Sequence, residues 1–316
     1  MKIDNKRLII FLIITFLISW STALVIYLTG GLVDSPVIIP ALNFSLAYVL
    51  MATLYMFAPA IANVLTRLFT REGWKNNFLK PNFKTSKGFW ALGWFLPGLL
   101  TLLGAILFFY LFPDTFDYEL GNLTTQLKVV NESSGSEPAF LFNPWLIIVI
   151  QFIQALLLSP ILNSISTFGE EFGWRAYLLQ KLLPLGTKKA VIISGLIWGI
   201  WHWPLIAMGY NYGFGYPAAP WLGFLGMAWF CLGLGIIFSW MVLRSKSVWP
   251  AVIAHSAING VAAIGTLALK GSVNLLIGPT PVGIIGGFFF SLLALNLLIH
   301  PTALSNPNAA DQQESL

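Results

Sequence analysis

Eight long apolar stretches decide what this chain can become. They run approximately Leu8–Gly30, Pro40–Leu65, Phe89–Phe112, Pro144–Ser166, Ala190–Met208, Trp221–Leu243, Trp249–Leu269 and Val282–Ile299. About 20 apolar residues carry a helix across a ~30 Å hydrocarbon layer. In lipid every backbone polar group must find its partner inside the protein, which restricts spanning segments to helices and closed barrels. These stretches have helical length, so the expected fold is all-α, a polytopic transmembrane helical bundle of about eight spans with its functional cavity inside the membrane. Only 9% of the residues are charged, against about 25% in a soluble domain, and they gather between the stretches.

The placement of those charges gives an orientation. Lys2, Lys6 and Arg7 precede the first stretch, which exceeds the 7–15-residue core of a signal peptide and reads as an uncleaved helix. Arg67, Arg71, Lys75, Lys80, Lys84 and Lys87 stand against Glu72 alone, and Arg175, Lys181, Lys188, Lys189, Arg244 and Lys246 flank later stretches. By the positive-inside rule these segments and both termini are expected in the cytoplasm, in the plasma membrane if the cell is prokaryotic. The net charge of +5 is thereby explained, and no nucleic-acid partner is expected. The acidic segment from Pro113 to Asn143 is expected outside, with flexible linker chemistry at 133–136. Its Asn122 and Asn131 glycosylation-like triplets are too short to carry weight. Residues 1–142 are expected to form an N-terminal transmembrane part, 143–300 a membrane core and 301–316 a disordered tail. Cys231, the single cysteine, reads as a small buried hydrophobe.

Of 12 acidic residues, ten fall in expected loops or tails; Glu170 and Glu171 stand side by side in apolar surroundings. Ionisable groups in such places are functional candidates by default. A helix turns once per 3.6 residues, so the two carboxylates point about 100° apart. Glu171 and Arg175 are four apart and can pair, which frees Glu170 to face a cavity. The structural alternative for Glu170 is a capping box with Thr167. His202 follows Trp198 by four residues and His255 precedes Asn259 by four, so each pair shares a helix face. His300 ends the last stretch beside Pro301, an unremarkable interfacial position. Glu, His, His and Asn converging in a low-dielectric cavity can perform acid–base hydrolysis, because desolvation and a like-charged neighbour make a carboxylate hold its proton nearer neutral pH.

Three segments in order, Glu170-Glu171-Phe-Gly-Trp-Arg175, Trp198-Gly-Ile-Trp-His202 and His255-Ser-Ala-Ile-Asn259, resemble the CPBP family of intramembrane proteases, which joins type II CAAX prenyl proteases with bacteriocin-processing proteins. The family pattern has Phe where Trp198 stands, an aromatic exchange expected to leave the chemistry intact. The resemblance covers about 90 residues and implies endopeptidase activity on a membrane-associated peptide or protein, prenylated CAAX tails being the family's best-known target. On this reading Glu170 and His202 activate a water, His255 and Asn259 stabilise the oxyanion, Glu171 positions the cluster and Arg175 holds it, with Trp198 as packing support. A zinc version would use His202 and His255 as ligands with a glutamate; a metal-free version uses the same atoms. The chain has no His-Glu-x-x-His segment.

Two readings of other classes compete. A non-catalytic immunity or scaffold protein of the same family would keep the motifs for binding. A proton-coupled transporter would use the same groups as a relay but commonly shows two related halves, and no internal repeat with a clear period is visible here.

Overall fold

The computed structural model describes residues 3–121, 123–125, 128 and 143–304. The linker-like stretch at 133–136, the asparagines Asn122 and Asn131 of the two triplets, and the tail from residue 305 lie outside the described residues. Among the described residues, seven helices are long and apolar enough to cross a membrane: α1 (Asn5–Leu28), α2 (Leu46–Phe69), α3 (Phe83–Leu111), α4 (Pro144–Leu162), α6 (Thr187–Ala207), α7 (Trp221–Ser245) and α8 (Trp249–Ala268). Between α4 and α6 lies α5, which runs Ser164–Gly173, loosens into a π turn at Trp174–Leu178 and closes with Leu179–Leu182. The last helix is α9 (Phe288–Ile299). The chain is a polytopic helical bundle and an integral membrane protein.

Two expected segments change on folding. The second stretch does not begin as an α-helix: Pro40–Leu42 is a 3-10 turn that joins Val37–Ile39 (β1) to Phe44–Ser45 (β2) in a small antiparallel hairpin, and α2 starts only at Leu46. The eighth stretch was expected to be helical from Val282, yet helix begins at Phe288. Gly278, Pro279, Pro281, Gly283, Gly286 and Gly287 hold the preceding backbone in turns, where proline removes donors and glycine is costly in a helix. With 12 residues, α9 rises only about 18 Å, short of a full crossing. Non-helical backbone is tolerated at such depth where protein buries it, and Gly104 of α3 lies so close to the Gly286 backbone that a Cβ there would collide.

Small residues let the site helices close. Gly169 and Gly173 bracket the glutamate pair on the α5 face that meets α2; a Cβ on Gly169 would lie 2.7 Å from the Met56 carbonyl, and one on Gly173 would collide with Pro59. This is the small-xxx-small spacing by which membrane helices approach backbone to backbone. Gly195 and Gly199 of α6 repeat it against Leu232 and Ala228 of α7. Asn63 of α2 donates to the Phe172 carbonyl at 2.9 Å, and Arg67 donates to Asn63 Oδ1 at 2.7 Å, bracing α2 on α5. Both helices carry a π turn. In α2 it spans Met51–Tyr55 and ends four residues before Pro59, which has no N–H to offer the Tyr55 carbonyl.

Candidate active site

The glutamate pair lies well inside the bundle. Glu170, Glu171 and Arg175 expose 2%, 0% and 1% of their surface. The capping-box alternative does not form. Thr167 sits inside α5, with its hydroxyl hydrogen-bonded to Ser256 Oγ at 2.6 Å, and Glu170 lies three residues deeper in the helix.

The two carboxylates part as the helical period requires. Arg175 Nη1 and His255 Nδ1 both donate to Glu171 Oε1, each at 2.9 Å. Glu171 Oε2 is buried and has no partner among the described residues. Glu170 turns to the other side, where its Oε2 accepts the indole N–H of Trp198 at 2.7 Å. Trp198 is the hub of the cluster. The Arg175 guanidinium lies over its ring 4.1 Å from the centroid, the His255 ring meets it edge-on at 5.3 Å, and its carbonyl pairs with His202 Nδ1 at 2.9 Å. A phenylalanine in this place keeps the packing and loses the bond to Glu170. The tryptophan therefore adds a hydrogen bond to Glu170 that the family's phenylalanine cannot make.

His202 occupies a break in α6. The helix pauses after Trp201 and resumes at Trp203, because Pro204 cannot donate to the Ile200 carbonyl. Leu205 N–H bonds the His202 carbonyl instead of that of Trp201, and the freed Trp201 carbonyl accepts from the Tyr55 hydroxyl at 2.5 Å and from the Trp20 indole at 3.3 Å. A carbonyl only accepts, so the bond to Trp198 fixes the proton on His202 Nδ1 and leaves Nε2 a lone pair. The same reasoning at the Glu171 carboxylate puts a proton on His255 Nδ1.

Glu170, Trp198, His202, His255 and Asn259 line one cavity of about 420 Å³, within the 300–1,000 Å³ typical of ligand sites. Glu171 and Arg175 stand behind that wall, and His300 lies exposed at the far end of α9. Sequence reasoning missed Tyr55, Tyr210, Asn211 and Cys231, which share the lining. Nothing basic neighbours Cys231 in the sequence, yet its sulfur lies 3.6 Å from His202 Nδ1. The contributions of Tyr55 and Cys231 depend on contacts across more than a hundred and about thirty residues, beyond the reach of local pattern. Tyr210 did leave a signal, in the glycine before it.

No three or more His, Cys, Asp or Glu side chains are grouped to hold a metal among the described residues. Each imidazole has spent Nδ1, and the Glu171 oxygen nearest His255 is already claimed by Arg175. Glu171 is thus engaged behind the wall, while Nε2 of each ring stays free, as it does on a metal-bound histidine whose Nδ1 is held by the protein, and no step below passes through a metal.

The fold and the cluster together define a class: a helical membrane protein enclosing an acid–base set of two glutamates, two histidines and an asparagine, with an arginine behind them. Residues 142–261 match the family model described as Type II CAAX prenyl endopeptidase Rce1-like, so the likeness read from three short segments extends from the start of α4 into α8. Among curated proteins, CAAX prenyl protease 2 of Methanococcus maripaludis is 35% identical over 128 residues, which is 40% of this chain and 45% of that relative. The chain thus spans less than half the length of the relative it matches.

Proposed function

We propose that the protein is an intramembrane endopeptidase that hydrolyses a peptide bond of a membrane-associated substrate with a water activated by Glu170 and His202. The observation that carries this reading is the division of labour between adjacent carboxylates. Glu171 is committed to Arg175 and His255 behind the cavity wall, whereas Glu170 reaches the cavity with one oxygen fixed by Trp198.

Glu170 takes a proton from the water as it attacks the scissile carbonyl, and returns it to the amine nitrogen when the C–N bond breaks. The bare Nε2 of His202 accepts the water's second hydrogen and aims its lone pair. Asn259, one turn beyond His255 and lining the same cavity, donates its amide to the developing oxyanion. His255, with Nδ1 spent on Glu171, turns its Nε2 to the substrate. Glu171 and Arg175 hold that ring in place.

The name of the archaeal relative makes a prenylated CAAX tail the first substrate to try; a leader peptide or another membrane-protein tail is the next. The basic flanks place the active site on the cytoplasmic side, with both termini there, and labelling from the external face alone would contradict this. The test uses purified protein and an internally quenched peptide ending in a farnesylated CAAX sequence. Wild type should cleave it, and Glu170→Gln should lower kcat by roughly 10³–10⁴-fold while inserting into membranes and melting like wild type. Unchanged biological function in the Glu170→Gln strain would favour a binding role instead.

A further inference from the structure

Much of the donor capacity around the cavity is spent on the protein; besides Asn259, the Trp201 indole, the Asn211 amide and the Tyr48 and Tyr210 hydroxyls are not spent among the described residues. Tyr55 spends its hydroxyl on the Trp201 carbonyl, Ser166 on that of Ala52, Trp198 its indole on Glu170, and both histidines their Nδ1 protons on the protein. Acyl-transfer sites commonly aim more than one donor at the oxyanion, and Asn259 supplies a single amide. Tyr210 lines the cavity, and its hydroxyl has no hydrogen-bond partner among the described residues.

Its position is fixed by the way α6 ends. After the helix stops at Ala207, Gly209 adopts φ +89°. Gly209 N–H bonds the Ile206 carbonyl at 2.9 Å, and Tyr210 N–H bonds the Leu205 carbonyl at 3.0 Å. These two bonds are the Schellman closure, in which the residue after the glycine packs back on the last turn. Leu205 lines the cavity beside Tyr210. The break that places His202 and the closure that places Tyr210 are therefore the two ends of one five-residue helical turn, Trp203–Ala207.

We infer that Tyr210 is a further catalytic residue of this site, its phenolic O–H donating with Asn259 to the tetrahedral oxyanion. No proton is transferred: when water attacks, the carbonyl π pair moves to oxygen, the O–H of Tyr210 shortens its bond to that oxygen, and the pair returns as the C–N bond breaks. Burial, and then the nearby Glu170 carboxylate, push the phenol above its ordinary pKa, which keeps it a donor across physiological pH. This assignment rests on the endopeptidase reading and adds one residue to it.

Tyr210→Phe removes only the hydroxyl. With the farnesylated peptide, kcat should fall by roughly 10²–10³-fold with KM within about twofold, and thermal stability in detergent should stay at the wild-type value. A phosphinate analogue of the peptide, whose tetrahedral oxygens mimic the oxyanion, should bind the variant at least about tenfold more weakly while the intact peptide, held by Glu170→Gln backgrounds with and without Tyr210→Phe, binds equally. A wild-type kcat in Tyr210→Phe, or equal phosphinate affinity, overturns the assignment and leaves the endopeptidase reading standing. A wild type that neither cleaves the peptide nor binds the phosphinate overturns both. Loss of thermal stability in Tyr210→Phe overturns the claim that the hydroxyl faces substrate alone.

Discussion

Two carboxylate clusters stand in this protein, and they are built to opposite ends. Glu72, beyond the end of α2, accepts from the Tyr177 hydroxyl at 2.9 Å and from Lys181, lies 3.5 Å from Arg7 Nε, and sits 4.0 Å from Arg67. Arg7 in turn pairs with Asp4 and donates to Thr70. That cluster ties the start of α1, the loop after α2 and the end of α5 together, and both of its carboxylate oxygens are in use. The cluster around Glu170 and Glu171 is more deeply buried and less satisfied. Two carboxylates share one arginine, one oxygen of Glu171 is unpartnered, and Glu170 has a single protein donor. Burying charge is costly unless it is paired, so a site that keeps spare acceptor capacity next to a cavity holds it for something that comes and goes. Saturation marks the brace; spare capacity marks the chemistry.

The sharpest way to break that contrast is to remove the cation the two buried carboxylates share. Arg175→Met keeps the bulk over Trp198 and leaves Glu171 with His255 alone. Removing one partner of a buried pair costs about 3–5 kcal/mol, so the variant should melt far below wild type in detergent and give little folded protein. If thermal stability stays near the wild-type value, Arg175 is not what neutralises the pair.

Trp198→Phe asks a narrower question. Phenylalanine retains the aromatic contacts with Arg175 and His255 and deletes the hydrogen bond to Glu170. A bond to a charged acceptor is worth about 1.5–3 kcal/mol, so kcat should fall by roughly 10–100-fold with a smaller change in stability. An unaffected kcat would show that Glu170 is aimed by packing.

The brace should respond in stability alone. Glu72→Gln keeps the shape and loses the charge-assisted bonds, at a cost of about 1–2 kcal/mol with kcat unchanged, because the cluster lies away from the cavity. Burial by itself would raise the Glu72 carboxyl, but the hydrogen bonds from Lys181 and Tyr177 and the charges of Lys181 and Arg67 outweigh it and hold the pKa below the ordinary carboxylate value. A depressed carboxylate contributes its stability above the unfolded-state pKa and loses it as pH falls through the folded one. The melting gap between wild type and Glu72→Gln should therefore be full at neutral pH and close on acidification. A gap that persists unchanged in acid would mean that shape, and not charge, carries the brace.

Much of this was legible in the chain. Hydropathy placed the seven long helices because lipid imposes one length on all of them, and the 3.6-residue period separated Glu170 from Glu171 before any coordinates existed. Hydropathy misread Val282–Phe288, where an apolar composition conceals prolines and glycines that turn the backbone. That α2 buries the glutamates is not visible in the chain, because it depends on Gly169 and Gly173 meeting Met56 and Pro59 more than a hundred residues away. Trp198 was read as packing since a sequence shows that an indole is present but not that its N–H finds a carboxylate. The glycine of the Schellman turn was visible as a helix stop; that it delivers Tyr210 to the cavity required the third dimension.

The smallest expected effect divides the two chemistries that the sequence left open. A zinc ion held by His202, His255 and a glutamate needs a free nitrogen on each ring and a free carboxylate oxygen converging on one point. Here Nδ1 of each ring is engaged and Nε2 is free, the Glu171 oxygen beside His255 is shared with Arg175, and no three such side chains are grouped to hold an ion among the described residues. Strong chelation followed by dialysis should therefore leave both the melting temperature and the cleavage of the farnesylated peptide as they were, with sub-stoichiometric metal by elemental analysis. Stoichiometric zinc, lost in step with activity and restored with it, would instead make His202 and His255 ligands.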